Sequence, residues 1–308
     1  MANPAMAEGP VSGAAGPGSA MQTARAYFAL TKPNIIWLLL ITTVPAMALA
    51  ERGWPSTWLV VVTLIGGMMS AGSANAMNQY ADRDIDQQMV RTQRRPLVRG
   101  LVAPGRAAIF GIVLAIASTV WLVLLVNVLT ALLSVAAIAF YVLVYTYYLK
   151  RNTWHNIVIG GAAGAAPTLI GWAAVTGRID SLEPIFLFLI VFWWTPPHFW
   201  GLSLVLKDDY AAAGVPMLPV VRGDDETKTQ ILLWSVMLLA LTIVFAGVSP
   251  MGTIYLGTAV GGGVAFVGMA VWLYRAPGIE PAMALFKYSS MYLALLFAAV
   301  LIDALRVT

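Results

Sequence analysis

Three side chains that carry oxygen atoms recur at every fourth position near the end of a long apolar run. They are Asn78, Asp82 and Asp86, and a helix of about 3.6 residues per turn brings such positions to one face. Two carboxylates on one buried face repel each other unless a cation lies between them. A hard divalent ion such as Mg²⁺ prefers oxygen ligands. The spacing therefore predicts catalytic residues that hold a metal through Asp82 and Asp86, with a solvated acidic helix end as the alternative.

Basic residues follow this acidic face closely in the sequence. Arg91 and Arg95 can form forked hydrogen bonds to phosphate oxygens, so the two groups together describe a site for a magnesium-bound diphosphate. Lys150 and Arg151 end a later apolar run and are further candidates to bind the diphosphate. A basic helix end is also ordinary snorkelling, and both interpretations stay open for this pair.

A second acidic cluster reads Lys207-Asp208-Asp209-Tyr210 and again follows an apolar run. It predicts a second metal or a second contact with the same diphosphate. Adjacent carboxylates cannot point the same way on a regular helix. We therefore expect Asp209 to join Asp82 and Asp86 at the metal, while the other carboxylate pairs with Lys207 or Lys207 itself binds the diphosphate.

An aromatic stretch, Trp193 to Trp200, lies inside another apolar run and contains Pro196, Pro197 and His198. A histidine at membrane depth is a functional-site hypothesis by default. His198 and Trp194 would suit a flat cofactor such as haem, with the imidazole as a possible iron ligand. The alternative is a proline kink in which the histidine binds a freed carbonyl group.

The elements that must position these residues are predicted from composition. The chain has 308 residues, of which 60% are hydrophobic and 10% charged, and its mean hydropathy is +0.80. So few charges cannot cover a soluble surface, which indicates a polytopic membrane protein. The absence of cysteine and the presence of only two histidines exclude thiolate chemistry and a histidine-built metal centre. Residues 1–24 are rich in Ala, Gly, Pro and Ser, which predicts a disordered tail before one transmembrane domain over 25–308.

Nine apolar runs are long enough, or nearly long enough, to span a bilayer. They lie at roughly 33–50, 57–80, 107–126, 128–149, 156–176, 183–205, 229–248, 252–274 and 284–304. With the N-terminus inside, fifteen of the eighteen Lys and Arg residues fall in inner segments, as the positive-inside rule requires. The pattern predicts a cytoplasmic N-terminus, an outer C-terminus and a site that faces the cytoplasm.

These motifs resemble those of the UbiA superfamily of intramembrane prenyltransferases. The spacing of Asn78, Asp82 and Asp86 matches its first aspartate-rich motif, and the residues around Arg91, Lys150–Gly161, Trp194–Trp200 and Asp209–Val221 resemble its haem-farnesylating branch. The resemblance covers about residues 25–304. The adjacent pair Asp208 and Asp209 departs from the spaced second motif usual in the superfamily.

The resemblance implies an all-α bundle of nine transmembrane helices around a central cavity. It implies transfer of farnesyl from farnesyl diphosphate to a vinyl group of haem B, giving haem O and diphosphate, with Mg²⁺ as cofactor and haem B as substrate. A bacterial inner membrane, no nucleic acid partner, and a haem A synthase or oxidase-assembly partner are also implied. The alternatives are a prenyltransferase for an aromatic quinone precursor and a transporter for haem or another anion.

Overall fold

The computed structural model of the chain describes residues 20–306, and of residues 34–40 it describes only the backbone. Within that range all regular secondary structure is helical, with no strand. The helices in chain order are α1 (Ala20–Leu30), α2 (Pro33–Glu51), α3 (Thr57–Ala81), α4 (Arg83–Gln88), α5 (Pro104–Leu125), α6 (Val128–Ala139), α7 (Lys150–Asn152), α8 (Asn156–Thr176), α9 (Leu182–Val205), α10 (Lys207–Ala212), α11 (Leu218–Arg222), α12 (Asp224–Val248), α13 (Thr253–Arg275) and α14 (Ala282–Ala304). A π-helical segment, Phe140–Leu149, joins α6 to α7, and a 3₁₀ turn, Val90–Thr92, follows α4.

Eight helices in the described part of the chain are long and apolar enough to cross a membrane. They are α3, α5, the continuous Val128–Asn152, α8, α9, α12, α13 and α14. The remaining predicted span coincides with α2, which is 19 residues long and is described with its side chains over Ile41–Glu51. The predicted all-α polytopic architecture is confirmed, and the predicted count of nine is close.

Two predicted boundaries can be compared with the structure. The first nineteen residues of the predicted tail lie outside the described residues, and α1 already begins at Ala20, so residues 20–24 are helical where the sequence predicted tail. At the predicted break near residue 127, Asn127 caps α6 by accepting a hydrogen bond from the Thr130 N–H at 2.9 Å. A side-chain cap of this kind starts a new helix with almost no loop.

Small residues bring several of the helices close together. A Cβ at Gly161 of α8 would lie 3.1 Å from Thr195 of α9, and one at Gly160 would clash with Tyr145 of the π-helical segment. Between α5 and α3, a Cβ at Gly111 would clash with the side chain of Met77. These contacts are typical of small residues at helix–helix interfaces in membrane proteins. The end of α3, the π-helical segment and α9 all contribute to the lining of one cavity.

Candidate active site

Asn78, Asp82 and Asp86 share one helical face, as their spacing predicted. The Asp82 N–H donates to the Asn78 carbonyl and the Asp86 N–H to the Asp82 carbonyl, both at 2.8 Å. These bonds carry the helical register from α3 into α4 across Asp82. The three residues are 4%, 0% and 1% exposed, so this is a buried acidic face and not the solvated helix end that was the alternative.

Basic groups reach Asp82 from the far end of the π-helical segment. Lys150 Nζ lies 2.5 Å from Asp82 Oδ2, and Asn78 Nδ2 donates to the same oxygen at 2.8 Å. Arg151 Nη2 is 3.8 Å from Asp82 Oδ1. That Oδ1 atom is buried and receives no hydrogen bond from the described residues, so it retains lone pairs for another ligand.

Asp86 is neutralised by the loop that follows it. Arg95 Nη1 lies 2.6 Å from Asp86 Oδ2, and the Thr92 hydroxyl donates to the Asp86 carbonyl at 2.8 Å, which folds the loop back onto α4. Burial raises the pKa of Asp86, while Arg95 opposes the shift. Its Oδ1 atom is also buried, with no hydrogen-bond donor in the part of the chain that is described.

A cavity of about 420 Å³ opens beside this face. Its lining contains Asn78, Asp86 and a set of basic side chains, and this set is Lys32, Arg91, Arg94, Arg95 and Lys150. Four of these cations against the two carboxylates Asp82 and Asp86 already leave an excess of positive charge, to which Lys32, with a pKa of about 7, adds in part. Because little water screens charges in a buried site, such a cavity selects a multiply charged anion. Diphosphate has this charge, and Arg offers the fork that matches it.

Lys32 is a site residue that the sequence reasoning missed. It precedes α2, and its Nζ donates to Asn78 Oδ1 at 2.9 Å. Burial lowers the pKa of Lys32 to about 7, and the cations Arg95 and Lys150 repel its proton further. In sequence it looked like one more inner-side charge. The usable signal was its position directly before the first apolar run, on the side where the acidic face ends. Arg94, which was not among the predicted site residues, also lines the cavity.

Of the second acidic cluster, only Tyr210 reaches the cavity. It is 2% exposed and lines the cavity together with Arg91, and burial raises its pKa while Arg91 opposes the shift. Asp208 is exposed and Asp209 half-buried. In the helical turn α10, Tyr210 takes the inward position, and its two predecessors are rotated away from it.

The structure does not bring together the three carboxylates that were predicted to hold a metal ion. Among the described residues no group of three His, Asp or Glu side chains lies close enough to hold a metal ion, so Asp209 does not join Asp82 and Asp86. Lys207 is corrected as well. Its Nζ pairs with Asp224 at 2.9 Å, neither with a neighbouring aspartate nor at the cavity.

Arg151 is next to the site but is engaged elsewhere. Its guanidinium forms two hydrogen bonds of 2.8 Å to the carboxylate of Asp84 and a third to the Ala81 carbonyl. The hydrogen bond from Arg151 holds the pKa of Asp84 well below its usual range. Arg151 therefore braces the junction of α3 and α4, and Lys150 is the member of the pair that faces the cavity.

The candidates for haem, His198 and Trp194, pack against α14. His198 lies between the rings of Trp194 and Phe286, with centroids 4.1 and 4.5 Å away. Its Nδ1 is 2.6 Å from Ser289 Oγ, and Trp194 Nε1 donates to the Ser289 carbonyl at 2.8 Å. Neither residue lines the basic cavity or the apolar cavity that adjoins it. This geometry favours a packing role for His198 over a haem site, but its partner is the Ser289 hydroxyl of a neighbouring helix and not the freed carbonyl group of the alternative.

The second, apolar cavity of about 180 Å³ lies deeper between α3, α8 and the π-helical segment. It is lined largely by small side chains of α3 and α8, and Tyr141 belongs to the lining of both cavities. The two spaces therefore adjoin at Tyr141. A charged head in the basic cavity and a hydrocarbon tail in the apolar one fit a single amphiphilic ligand.

Comparison with known proteins agrees with this geometry. The profile of the UbiA prenyltransferase family matches residues 39–296. The chain belongs to the UbiA prenyltransferase family. A protoheme IX farnesyltransferase of Parafrankia sp. (strain EAN1pec) is 54% identical over 93% of this chain and 92% of its own. The enzyme of the same name from Symbiobacterium thermophilum is 52% identical over 92% and 96%.

Solved structures show the UbiA fold in this chain. A digeranylgeranylglyceryl phosphate synthase superposes with a TM-score of 0.77 at 18% identity, over 93% of this chain and 100% of the other. A UbiA homologue from Archaeoglobus fulgidus, solved with DMAPP and Mg²⁺, superposes with a TM-score of 0.65 at 16% identity, over 89% and 99%. A prenyltransferase family does not support the transporter alternative.

Proposed function

We propose that this UbiA-family chain transfers the farnesyl group of farnesyl diphosphate to a vinyl group of haem B and releases diphosphate. The observation that carries the proposal is the buried face of Asn78, Asp82 and Asp86 beside a cavity with excess positive charge, joined to an apolar cavity. The acceptor rests on the relatives, which carry the name protoheme IX farnesyltransferase at 50–54% identity over nearly their whole length.

The acidic face has carboxylate oxygens available to bind a magnesium ion. Asp82 Oδ1 and Asp86 Oδ1 are buried, and no described residue donates to them. Mg²⁺ typically binds one or two carboxylates together with waters and substrate phosphates, so a third carboxylate is not required. We propose that Asp82 and Asp86 hold the ion. When bound, it would neutralise charge on the departing diphosphate.

The basic side chains act on the leaving group. As the bond between the allylic carbon and the diphosphate oxygen breaks, its electron pair stays on oxygen and the carbon becomes a cation. Four basic side chains that line the cavity would stabilise the negative charge that grows on that oxygen, and these are Lys32, Arg91, Arg95 and Lys150. Preorganised charges of this kind usually contribute more to the rate enhancement than any other single effect.

The apolar cavity protects the allylic cation. Its lining carries few groups able to act as a nucleophile, so water is kept away until the vinyl carbon of the acceptor attacks. That attack forms the carbon–carbon bond and moves the positive charge to the carbon next to the porphyrin. One water then adds there and loses a proton, which gives the hydroxyl group of haem O.

The location in the cell belongs to the same proposal. The apolar helices make the chain a polytopic membrane protein. We place it in the inner membrane of a bacterium, with the N-terminus and the basic cavity on the cytoplasmic side, because the basic residues collect there. Residues 25–308 would form one domain. A haem A synthase or an oxidase-assembly protein is proposed as a partner that takes up the product.

The test offers the purified protein two acceptors. In lipid nanodiscs with Mg²⁺ and farnesyl diphosphate, haem B should gain a farnesyl group, while an aromatic quinone precursor should not. A chelator should stop the reaction, and added Mg²⁺ should restore it. Farnesylation of the aromatic quinone precursor alone would favour the alternative, a prenyltransferase for that precursor. Transfer to neither acceptor would contradict the proposed enzyme.

A further inference from the structure

The turn between α1 and α2 is held from α3 by residues on one helical face. α1 ends at Leu30, so its last carbonyl groups have no partner within the helix. Gln79 Nε2 donates to the Leu30 carbonyl at 2.8 Å, and Asn75 Nδ2 donates to the Thr31 carbonyl at 2.9 Å. At Gly72 an added Cβ would lie 3.2 Å from Thr31 Cγ2, so the backbones approach closely there.

This turn presents Lys32 in an unusual backbone conformation. Its φ of 51° and ψ of 61° are left-handed, which a residue with a Cβ adopts only when its surroundings hold it there. The Lys32 N–H donates to the Ala29 carbonyl at 3.2 Å. From this position the Lys32 ammonium reaches Asn78 Oδ1 at 2.9 Å and lines the basic cavity.

The two amide side chains that support the turn are buried. Gln79 is 1% exposed and Asn75 6% exposed. A carbonyl oxygen can only accept, so in each amide the nitrogen must face the turn. Gln79 follows Asn78 directly and is rotated by about 100° around α3. Gln79 also contributes to the lining of the basic cavity and Asn75 to that of the apolar cavity, so the face of α3 that holds the turn borders the site directly, and the double-mutant cycle below separates a direct contact from an effect through Lys32.

We propose that Asn75 and Gln79 are positioning residues for Lys32. They fix the backbone from Leu30 to Lys32, so that the ammonium group faces the diphosphate of the substrate. Neither residue needs to touch the diphosphate for this effect. The ligand named here rests on the proposed function, whereas the positioning effect can be measured with inorganic diphosphate alone.

The test is a double-mutant cycle in the full-length protein. Lys32→Met should weaken binding of inorganic diphosphate with Mg²⁺ by about 30-fold, as expected for a charge-assisted hydrogen bond. Gln79→Leu keeps the apolar volume and removes the donor, and should weaken binding about tenfold. The double variant should bind like Lys32→Met, because Gln79 acts only through Lys32. Both single variants should raise KM for farnesyl diphosphate more than they lower kcat.

A matched control separates this effect from a loss of packing. Asn127 Nδ2 donates to the Ala173 carbonyl at 2.8 Å near the opposite end of the bundle, so Asn127→Ala removes the same kind of bond and, in addition, the cap of α6, which makes it the more disruptive change to packing. It should leave diphosphate affinity unchanged. Asn75→Ala is the second variant if Gln79→Leu does not fold, and it should show the same dependence on Lys32.

Three outcomes overturn the positioning role. They are an unchanged affinity in Gln79→Leu and Asn75→Ala, an unchanged affinity in Lys32→Met, and additive losses in the double variant. A wild-type protein that binds Mg²⁺ and diphosphate with this dependence but transfers no farnesyl to haem contradicts the proposed function alone. The two failures are therefore distinguishable.

Discussion

Replacement of Asp82 by asparagine removes one charge from the centre of the site and preserves the shape of the side chain. Asp82 is fully buried, accepts from Lys150 at 2.5 Å, and has one free carboxylate oxygen. The amide can still accept through one oxygen, but it cannot balance Lys150 or hold a cation with a negative charge. Asp82→Asn therefore tests the electrostatic part of the proposed site.

The expected magnitude has two parts. Loss of one preorganised electrostatic group typically lowers kcat by a factor of about 10²–10³, or roughly 3–4 kcal/mol. Breaking a buried ion pair typically costs about 3–5 kcal/mol of stability. For Asp82→Asn we expect the free energy of unfolding to fall by about 3 kcal/mol or less, because the Lys150 side chain is 12% exposed and retains some contact with water.

The binding of diphosphate gives a sharper signature than the rate alone. Without metal, Asp82→Asn should bind inorganic diphosphate more tightly than the wild type, because the cavity has lost a negative charge. With Mg²⁺ the order should reverse, since the variant has lost a ligand. Titration calorimetry in detergent, with and without a chelator, measures both affinities, and the mass of the haem product measures turnover.

Asp84→Asn is the matched control. Asp84 lies two residues further along the chain, is 58% exposed at its side chain and pairs with Arg151. Its loss should change turnover less than twofold and stability by less than about 1 kcal/mol, as for other exposed pairs. If Asp82→Asn turned over within twofold of the wild type and kept its affinity for Mg²⁺ and diphosphate, the acidic face would not be the site of the chemistry.

Three further predictions use other parts of the chain. Lys150→Met should weaken diphosphate binding by roughly tenfold or more. Lys207→Met should leave the binding unchanged, since Lys207 pairs with Asp224. Equal losses of affinity for the two variants in a binding titration would contradict the structure. His198→Phe keeps the aromatic stack, so the absorption spectrum of bound haem should not change, and loss of an iron-ligand band would restore the histidine as a haem ligand. Tyr210→Phe removes a hydroxyl group that lines the basic cavity near Arg91 and should raise KM for farnesyl diphosphate a few-fold without a change in kcat.

The acidic face and its main partners could be predicted from sequence because local periodicity decides them. Four-residue spacing fixes Asn78, Asp82 and Asp86 on one face wherever the rest of the chain goes. Arg95 is close in sequence to Asp86, and a short loop between them favours contact between the two side chains. The apolar runs fix most helices for the same local reason.

What the sequence could not show depends on contacts between distant segments. Lys32 meets Asn78 across 46 positions, and no local pattern connects them. Lys207 selects Asp224, which lies across a loop, over the aspartates beside it. His198 packs on Ser289 of α14, a pairing that only the arrangement of the helices decides. In each case a tertiary contact overrides the interpretation that the neighbouring residues favoured.

The mass of the haem product tests the central claim most directly. The purified wild-type protein, with haem B, farnesyl diphosphate and Mg²⁺ in ¹⁸O-labelled water, should yield a haem heavier by one farnesyl group and one water that carries the label. An unchanged haem mass, under conditions where both substrates are bound, would contradict the proposed reaction.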